Sequence, residues 1–276
     1  MSARVPLAGV VGAPVGHSLS PRLHGAWLSR YGIAGHYVPF HVAPSDFEEA
    51  LRAMPKMGVV GVNVTIPHKV AALELADKAS DAARAIGAAN MLTFGADGSV
   101  EAENTDHYGF MANLRAGAPD WRAAGTRALV LGAGGAARAV LYALCEAGVA
   151  EIYLVNRTRE TAERLAEVFV DPVRVAPWED ASDLLGAVDL VVNTTSLGMT
   201  GQPPLTFPLD GLRAGQVVTD LVYAPLETEL LRAARAAGAM AVDGLGMLLH
   251  QAVPAFERWF GQRPDVDEDL RRTVLG

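Results

Sequence analysis

The second half of the chain alternates short apolar segments with amphipathic ones, and this alternation limits the fold more than any other feature of the sequence. The segments RALVLG, EIYLVN, DLVVNTT and QVVTDLVY are apolar almost throughout rather than at every second position. Strands of that kind are buried on both faces, as they are in parallel sheets covered by helices. The sequence therefore predicts a parallel, doubly wound α/β unit for this half.

The glycine-rich segment LVLGAGGAARA joins the first of these apolar segments to the helix that follows it. Gly132, Gly134 and Ala137 stand in a G-x-G-x-x-A arrangement. Small residues at these positions permit a tight turn and let a pyrophosphate approach the N-terminus of the helix. Glycine-rich turns without a ligand are common, but the position between a strand and a helix favours a nucleotide site.

The end of the next apolar segment indicates which nucleotide the unit binds. An NAD-binding unit usually carries an acidic residue here, which binds the ribose hydroxyls. In its place the chain has Asn156, Arg157, Thr158 and Arg159. Two guanidinium groups suit a 2′-phosphate, and basic residues are disfavoured at a helix N-terminus without an anion beside them. The structural alternative is that the arginines only solvate the start of the helix; we expect NADP as the cofactor.

The first half of the chain forms an α/β pattern of its own, with strands at LAGVVG, HYVPFHV and GVNVTI. Local signals predict Ser20 as the N-cap of the first helix, Gly32 as its end, and Ser45 with Glu48 as a capping box. A helix is predicted over 67–86. A β-hairpin formed by NMLTF and VEAEN follows it.

The segment GVNVTIPHK changes from an apolar strand to a proline, a histidine and a lysine. Val62, Val64 and Ile66 share a spacing of two, so we expect them to face one side and anchor the strand. Pro67 fits the first turn of a helix better than the middle of a strand. The segment is therefore predicted to hold Lys69 rigidly at the edge of a ligand crevice.

Short polar side chains repeatedly end the apolar segments of the first half. In open α/β sheets the ends of strands line the ligand crevice, so this pattern is typical of a polar substrate pocket. Each residue alone has a structural alternative as a turn residue, a cap or a solvated charge. The candidates are Ser18, Ser20, Thr65, Lys69, Asn90, Asn104 and Asp106.

Composition excludes several classes of protein. The chain has 276 residues and a formal net charge of −8, which argues against a general binder of nucleic acid or acidic membranes. Its one cysteine, Cys145, excludes a disulfide framework and a cysteine-rich zinc site, and the spacing of the histidines predicts no metal site. Because no segment approaches the roughly 18 apolar residues of a membrane span, we expect a soluble, cytoplasmic protein.

Two further segments suggest how the chain is divided. RAGAPDWRAAGT is polar and contains glycine and proline, as interdomain connections often do. GMLLHQAVPAFERWFGQ is predicted to be a strongly apolar helix with no strand after it, so it needs a surface on which to pack. We expect this helix to return to the first domain.

Eight groups of motifs, spread over nearly the whole chain, together resemble the shikimate dehydrogenase family. They are, in order, GHSLSP, NVTIPHK, GAAN, NTD, GAGGAARA, NRT, NTTSLGM, and DLVY with GLGMLLHQA. The resemblance implies an α/β enzyme of two domains that reduces 3-dehydroshikimate to shikimate with NADPH. It implies a substrate-binding and catalytic domain over 1–106 and a Rossmann-type, doubly wound NADP-binding domain over 107–243. C-terminal helices over 244–276 would pack back on the first domain.

The resemblance also implies roles for the residues that match the family's motifs. Lys69 and Asp106 look like the catalytic pair, and Ser18 and Ser20 look like the pair that binds the substrate carboxylate. The residues that resemble the family's ligands for the ring hydroxyls are Thr65, Asn90, Asp106, Tyr223 and Gln251. The residues that match its NADP-binding segments are Gly132, Ala133, Gly134, Gly135, Ala136, Asn156, Arg157, Thr158 and Arg159, with Asp81, Leu221 and Gly244 as candidates near the nicotinamide.

The chain departs from the family's usual pattern at two positions, both of which bear on fine substrate preference. His107 follows NTD where the family more often has glycine, and Met91 follows GAAN where threonine is common. Both members of the catalytic pair are present. The resemblance implies that Lys69 protonates the developing alkoxide while NADPH delivers hydride, and that Asp106 orients the ammonium group.

Three alternatives share this architecture. The nearest is a quinate/shikimate dehydrogenase with relaxed cofactor use. A folate-type or other NADP dehydrogenase fits less well, because the SLSP loop suits a small carboxylic acid. A non-catalytic sensor of shikimate-like acids belongs to another class, and the presence of Lys69, Asp106 and the glycine-rich loop argues against it. The sequence leaves open whether the protein is a monomer or a homodimer.

Overall fold

The computed structural model describes residues 5–169 and 171–276, which form two compact α/β units with one six-stranded sheet each. Unit 1 runs to Thr105 and also includes Gln251–Gly276, whereas unit 2 is Asp106–His250. The chain therefore leaves unit 1 at Thr105 and re-enters it at Gln251. The boundaries expected from the sequence were at residues 106 and 243.

Unit 1 is built on a mixed sheet. Its strands are Leu7–Gly12 (β1), His36–His41 (β2), Val59–Val64 (β3), Lys78–Ala79 (β4), Met91–Phe94 (β5) and Val100–Glu103 (β6). Their order is β2-β1-β3-β5-β6-β4, and β5 runs antiparallel to both neighbours. The predicted hairpin is therefore confirmed as β5 and β6. The helices of this part are Ser20–Arg30 (α1), Phe47–Ala53 (α2), Lys69–Glu74 (α3) and Asp81–Ile86 (α4).

The prediction of one helix over 67–86 is wrong, because an edge strand interrupts the segment. The short strand β4 pairs in parallel with β6, and Asp77 Oδ2 next to it accepts a hydrogen bond of 2.8 Å from the Val100 N–H. Ser80 then caps a new helix, α4, by accepting from the Ala83 N–H at 3.1 Å. Helical periodicity on both sides of β4 conceals this break in the sequence.

Two predicted helix caps are also wrong. Ser20 lies inside the first turn of α1, and the residue with the side-chain contact is Ser18, whose Oγ accepts from the Ser20 N–H at 3.3 Å. Ser45 and Glu48 form no capping box, because a short 3₁₀ helix over 44–46 precedes α2 and the Ser45 hydroxyl donates to the Asp46 carboxylate. Gly32 follows the end of α1 with a φ of +61°, as predicted.

Unit 2 is a doubly wound parallel sheet. Its strands are Arg127–Leu131 (β7), Glu151–Val155 (β8), Val173–Ala176 (β9), Leu190–Asn193 (β10), Val217–Asp220 (β11) and Met240–Val242 (β12). Their order is β12-β11-β10-β7-β8-β9 and all pairs are parallel. The strand order reverses between β7 and β10, and ligands bind at such a switch point beyond the carboxyl ends of the strands.

Helices cover both faces of this sheet. They are Asp106–Gly117 (α5), Gly135–Glu146 (α6), Arg159–Ala166 (α7), Ala181–Ala187 (α8) and Glu229–Ala236 (α9). Alternate residues of β7 belong to two different apolar clusters, with Ala128 and Val130 in one and Leu129 and Leu131 in the other. The prediction of strands buried on both faces is thereby confirmed.

The C-terminal helices are Leu245–Phe260 (α10), which begins in unit 2 and continues in unit 1, and Glu268–Leu275 (α11). In unit 1, Trp259 packs against Gly61 of β3, where a Cβ atom would lie 2.0 Å from the indole Nε1. The Trp259 indole donates to Thr93 Oγ1 at 3.1 Å, and Arg30 of α1 forms an ion pair of 2.9 Å with Asp267. No helix in the described part of the chain has the length and apolarity needed to cross a membrane.

Candidate active site

The turn between β3 and α3 carries Thr65 and Lys69, and the end of β1 holds it in place. The Thr65 N–H donates to the Val11 carbonyl at 2.9 Å, and the Ala13 N–H donates to the Ile66 carbonyl at 3.1 Å. Because these bonds are to the backbone of a central strand, the turn is fixed from one side. Lys69 opens α3 directly after this turn and is half-buried.

The packing of this segment differs from the prediction at its tip. Val62 and Val64 are buried in the core as expected, but Ile66 lies in the turn and is 74% exposed. Pro67 also lies in the turn and precedes α3 rather than opening it. The strand therefore anchors the turn through two valines, and the tip depends on other contacts.

His68, the residue before Lys69, supplies one of those contacts. Its side chain is 2% exposed and stacks on Phe47 with ring centroids 4.3 Å apart. Its Nε2 lies 2.8 Å from the Val42 carbonyl, and since a carbonyl oxygen can only accept, Nε2 carries the proton. The start of α3 is thus tied to the segment that follows β2.

Gly12 at the end of β1 leaves the space that Thr65 occupies. A Cβ atom on Gly12 would lie 2.5 Å from Cγ2 of Thr65 and 3.2 Å from the Ile66 carbonyl. Any side chain at position 12 would therefore push the turn away from β1. The glycine is needed for the close approach of two backbones rather than for a positive φ.

Asn90 and Gln251, far apart in sequence, meet inside unit 1. The Asn90 side chain is 3% exposed; its Oδ1 accepts from the Thr105 N–H at 2.7 Å, and its Nδ2 donates to Gln251 Oε1 at 3.3 Å. Nδ2 also donates to Thr105 Oγ1 at 3.0 Å. Asn90 therefore joins the segment before β5, the end of β6 and helix α10.

Two residues that sequence reasoning missed, Tyr37 and Asn63, form a chain of hydrogen bonds that ends at Asn90. The buried Tyr37 hydroxyl donates to Asn63 Oδ1 at 2.8 Å, and Asn63 Nδ2 donates to the Asn90 carbonyl at 3.2 Å. Burial raises the pKa of Tyr37, and a hydrogen bond with the Ser20 hydroxyl opposes this. The available sequence signal was Asn63 itself, the one amide side chain inside an otherwise apolar strand.

The polarity of this chain of hydrogen bonds follows from its acceptors. The Asn90 carbonyl can only accept, which fixes the Asn63 amide with Nδ2 toward it and Oδ1 toward Tyr37. The single phenolic proton is then committed to Asn63. Ser20, which is 6% exposed, lies near enough to the Tyr37 oxygen to oppose the rise of its pKa.

The remaining predicted substrate residues lie at the ends of elements. Ser18 is half-buried and its N–H donates to the Val15 carbonyl at 3.0 Å. Asp106 is the first residue of α5, belongs to unit 2 and is 8% exposed, whereas Lys69 belongs to unit 1. Tyr223 of unit 2 follows β11, and burial raises its pKa. Asn104 is buried, and its Nδ2 donates to the Ala88 carbonyl at 2.9 Å.

The glycine-rich turn lies at the carboxyl end of β7, next to the switch point. Gly132 has a φ of +101°, and a Cβ atom there would lie 2.8 Å from Cγ2 of Thr195, so only glycine fits. At Gly134 and Gly135 a Cβ atom would meet nothing within 4 Å, which leaves open space in front of the N-terminus of α6. Ala137 is fully buried against the sheet.

Asn156 ties this turn to the segment after β8. Its Oδ1 accepts from the Ala133 N–H at 3.2 Å and its Nδ2 donates to the Thr158 carbonyl at 2.8 Å. Asn156 thus uses its side chain to align two predicted cofactor segments. Of the remaining predicted residues here, Ala136 lies in the first turn of α6.

Two exposed arginines flank Thr158 at the start of α7. Arg159 forms an ion pair of 2.7 Å with Glu163 one turn later, so part of its charge is balanced within the helix. Arg157 lies before the helix and is exposed, as is Thr158, which stands at the N-cap position without a side-chain capping bond. This segment offers cationic and hydroxyl donors to an anion in solution.

The other predicted cofactor residues fall at two places. Gly244 packs against the turn after β11, where a Cβ atom would lie 2.4 Å from the Leu221 carbonyl oxygen. Asp81 is exposed in the first turn of α4 and belongs to unit 1.

The donors at the carboxyl edge of unit 2 fit a dinucleotide phosphate. A pyrophosphate needs open space at a helix N-terminus, which Gly134 and Gly135 leave at the start of α6. A 2′-phosphate needs cationic donors, and the two exposed arginines are such donors. Within residues 5–169 and 171–276, no group of three or more histidine, cysteine or acidic side chains is arranged to hold a metal ion. These features place unit 2 in the doubly wound α/β class whose members bind dinucleotides at this edge.

Comparison with known proteins narrows the class to a family. Residues 10–92 match the substrate-binding domain of shikimate dehydrogenase, 117–199 match shikimate/quinate 5-dehydrogenase, and 244–272 match the C-terminal domain of shikimate 5′-dehydrogenase. A shikimate dehydrogenase (NADP(+)) from Ruegeria sp. strain TM1040 is 59% identical over 272 residues, which cover 99% of each chain. The chain belongs to the shikimate dehydrogenase family.

Two solved structures have the same fold over nearly their whole length. Shikimate 5-dehydrogenase from Thermus thermophilus, in complex with NADP(H) and shikimate, is 37% identical with a TM-score of 0.87, and 99% of each chain is covered. Quinate dehydrogenase from Corynebacterium glutamicum, in complex with NAD, is 34% identical with a TM-score of 0.92, and 98% of this chain and 99% of that one are covered.

Proposed function

We propose that the protein is an NADP-dependent shikimate dehydrogenase, which reversibly reduces 3-dehydroshikimate to shikimate. The observation that carries this proposal is the 59% identity, over 99% of both chains, to a relative that bears this name. Its structural counterpart in this chain is the anchored turn that presents Thr65 and Lys69. Unit 1 is the substrate-binding and catalytic domain in this proposal, and unit 2 binds NADP.

Lys69 is the proposed general acid and base. The bound cofactor supplies or accepts the hydride at the ring carbon. The Lys69 ammonium stabilises the developing alkoxide and protonates it, and Asp106 orients that ammonium group. A proton donor must be well positioned, and the backbone bonds from β1 and the buried His68 support this role by fixing the segment from which the Lys69 side chain extends.

The substrate's polar groups are assigned to half-buried and buried side chains. Ser18, which is half-buried, and Ser20, which is buried, are proposed to bind the carboxylate by donating from their hydroxyl groups. The residues proposed to bind the ring hydroxyls are Thr65, Asn90, Asp106, Tyr223 and Gln251. In unit 1 the mutual hydrogen bond of Asn90 and Gln251 supports a shared role for these two amides.

The cofactor is assigned to the carboxyl edge of unit 2. Arg157 and Arg159 are proposed to bind the 2′-phosphate, with Thr158 as a hydroxyl donor, and Asn156 keeps their segment aligned with the glycine-rich turn. The pyrophosphate is proposed to lie over the turn formed by residues 132–136. Leu221 and Gly244 are proposed to lie near the nicotinamide, together with Asp81 of unit 1.

A second candidate is a dehydrogenase that acts on quinate with NAD, as the high TM-score to quinate dehydrogenase suggests. We also propose a cytoplasmic location and a monomeric or homodimeric state. Cell fractionation tests the location, and sedimentation of the purified chain tests the state.

Absorbance at the nicotinamide band tests the activity directly. The purified chain is assayed with shikimate or quinate and with NADP⁺ or NAD⁺, in all four pairings. Fastest turnover with shikimate and NADP⁺ supports the proposal. Fastest turnover with quinate and NAD⁺ would favour the second candidate, and binding without turnover in any pairing would favour a sensor.

A further inference from the structure

A buried carboxylate in unit 2 holds the turns that follow β10 and β11. Asp220 is fully buried at the end of β11. Its Oδ1 accepts from Asn193 Nδ2 at 2.9 Å and from the Val222 N–H at 3.0 Å, and its Oδ2 accepts from the Thr228 hydroxyl at 2.7 Å. Burying a carboxylate without partners is strongly unfavourable, and the three donors that converge on Asp220 offset this cost.

The hydrogen bonds continue from Asp220 to the glycine-rich turn. Asn193 Oδ1 accepts from the Thr195 N–H at 3.0 Å and from the Thr195 hydroxyl at 2.7 Å. Cγ2 of Thr195 is the atom that a Cβ on Gly132 would approach to 2.8 Å. The position of Gly132 is therefore set by a surface that Asn193, and through it Asp220, holds in place.

The same carboxylate sets the backbone on the other side. The bond from the Val222 N–H fixes the turn after β11, and the Leu221 N–H donates to the Asn193 carbonyl at 3.0 Å. Gly244 packs on this turn with no room for a Cβ beside the Leu221 carbonyl. Thr228 meanwhile caps α9 by accepting from the Leu231 N–H at 3.4 Å. One buried group thus joins two strand ends and a helix start.

We propose that Asp220 is a positioning residue for the dinucleotide site, because it fixes the turns against which Gly132 and Gly244 are placed. This inference rests on the proposed function, which assigns those turns to NADP. Asp220 acts through its three hydrogen bonds, since its fully buried carboxylate has no surface exposed to a ligand. The alternative, that the network serves only the stability of unit 2, predicts no selective effect on NADP affinity.

The donors and acceptors around Asp220 identify the informative substitution. In Asp220→Asn, the remaining oxygen can still accept from Asn193 and Val222, and the new amide N–H can donate to the Thr228 oxygen. All three connections are kept without the charge. Asp220→Ala removes all three, and Thr228→Val removes one while nearly conserving shape.

Calorimetric titration of the full chain with NADP⁺ and, separately, with shikimate tests the proposal well below the unfolding temperature. We expect Asp220→Ala to raise the Kd for NADP⁺ at least about tenfold and to raise the Kd for shikimate by a clearly smaller factor, because Tyr223 alone among the proposed substrate ligands lies in the turn that Asp220 fixes. Asp220→Asn should stay within about threefold of the unchanged chain, and Thr228→Val should fall between the two.

Asp189→Ala is the matched control. Asp189 directly precedes β10, at the amino ends of the strands, where its Oδ2 accepts from the Arg127 N–H at 3.0 Å. The Asp189→Ala chain should be less stable than the unchanged chain but should bind NADP⁺ with the same affinity.

Several results would overturn the proposal. They are an unchanged Kd for NADP⁺ in Asp220→Ala, equal losses for both ligands, and an Asp220→Asn chain as impaired as Asp220→Ala. If Asp220→Ala does not fold, an unchanged Kd in Thr228→Val overturns it instead. An unsubstituted chain that fails to bind NADP⁺ would overturn the proposed function, and this inference with it. Binding by the unsubstituted chain with no selective loss in the variants overturns the inference alone.

Discussion

At the scale of single residues, the proposed chemistry depends on the ammonium group of Lys69. The side chain is half-buried and leaves α3 at a point tied by backbone bonds to β1 and by His68 to the Val42 carbonyl. A surface lysine needs no such support. This arrangement supports the proposal that the position of Lys69 matters to the reaction.

Lys69→Met keeps much of the side-chain length and removes the charge and the proton. We expect kcat to fall at least about a hundredfold, the lower range for general acid–base catalysis, with little change in the Kd for shikimate. Combining Lys69→Met with Asp106→Asn should cost much less than the product of the single effects, because the two act as a unit. Steady-state kinetics and calorimetry provide the readout.

The control for that substitution is Lys56→Met, an exposed lysine of unit 1 on the short 3₁₀ helix over 54–57. It should behave as the unchanged chain. A Lys69→Met chain with near-normal kcat would remove Lys69 from the proposed mechanism.

Arg157 tests the choice of cofactor, since it is exposed and Arg159 is paired with Glu163. Arg157→Glu should weaken NADP⁺ binding about ten- to a hundredfold, because a charge-assisted contact contributes roughly 1.5–3 kcal/mol and the new carboxylate repels the 2′-phosphate. NAD⁺ binding should change far less. The control is Arg164→Glu, which changes an exposed arginine within α7, the helix that follows Arg157. Equal losses for both cofactors would make Arg157 structural.

At the scale of elements, the turn between β3 and α3 depends on a close approach of two backbones. Gly12→Ala places a methyl group 2.5 Å from Cγ2 of Thr65, so the turn must shift. We expect a loss of about 1–3 kcal/mol in the free energy of unfolding, as in other overpacked sites. The Kd for shikimate should rise, because Thr65 and Lys69 move with the turn. Urea denaturation and calorimetry measure the two effects.

Gly25→Ala is the matched control for this change. Gly25 lies on the exposed face of α1, and a Cβ atom there meets nothing within 4 Å. Alanine should be neutral or stabilising by up to about 1 kcal/mol, because it favours the helix. If Gly12→Ala behaves in the same way, the turn is not held by its contact with β1.

The start and end of an element were predicted correctly where nearby residues in the sequence determine them. They were predicted incorrectly where pairing with a distant strand determines them. Gly32 ends α1 through its own positive φ, and the hairpin of β5 and β6 follows from its turn. The break between α3 and α4 instead depends on pairing of Lys78 with Glu101 in β6. The caps of α1 and α2 failed because preceding turns, invisible in the helix sequence, shift where each helix begins.

At the scale of the whole molecule, two buried titratable groups make opposite contributions to stability. Burial lowers the pKa of His24 to about 3 and raises the pKa of Asp220 to about 6. For His24 the unfolded chain binds the extra proton, so stability rises with pH between about 3 and 6.5. For Asp220 the folded chain binds it, so stability falls with rising pH between about 4 and 6.

Denaturation at pH 4, 5 and 6 separates the two contributions. Between pH 4 and 6 the unfolding free energy of Asp220→Asn, relative to the unchanged chain, should grow by up to about 1.4 kcal/mol per pH unit, because the unchanged chain must take up a proton on Asp220 when it folds. For His24→Phe the difference should shrink with pH at a similar rate. Phenylalanine suits the site, since His24 stacks on Tyr37 at 3.8 Å and both its ring nitrogens lack partners within the described residues. Differences independent of pH would contradict this account.

The sequence by itself determined the class of each unit and the identity of the groups available for chemistry. Strands that are apolar almost throughout are buried on both faces, and the glycines after β7 predicted the tight turn in which Gly132 lies. These are local requirements. They act between residues a few positions apart, so they can be recognised along the chain.

Only the tertiary structure decided which polar groups share a network. The chain from Tyr37 through Asn63 to Asn90, and the bond from Asn90 to Gln251, join residues on separate elements. The same holds for Asp220, Asn193 and Thr228. A buried donor must find an acceptor wherever packing brings one, and that neighbour is set by the arrangement of strands and helices rather than by position along the chain.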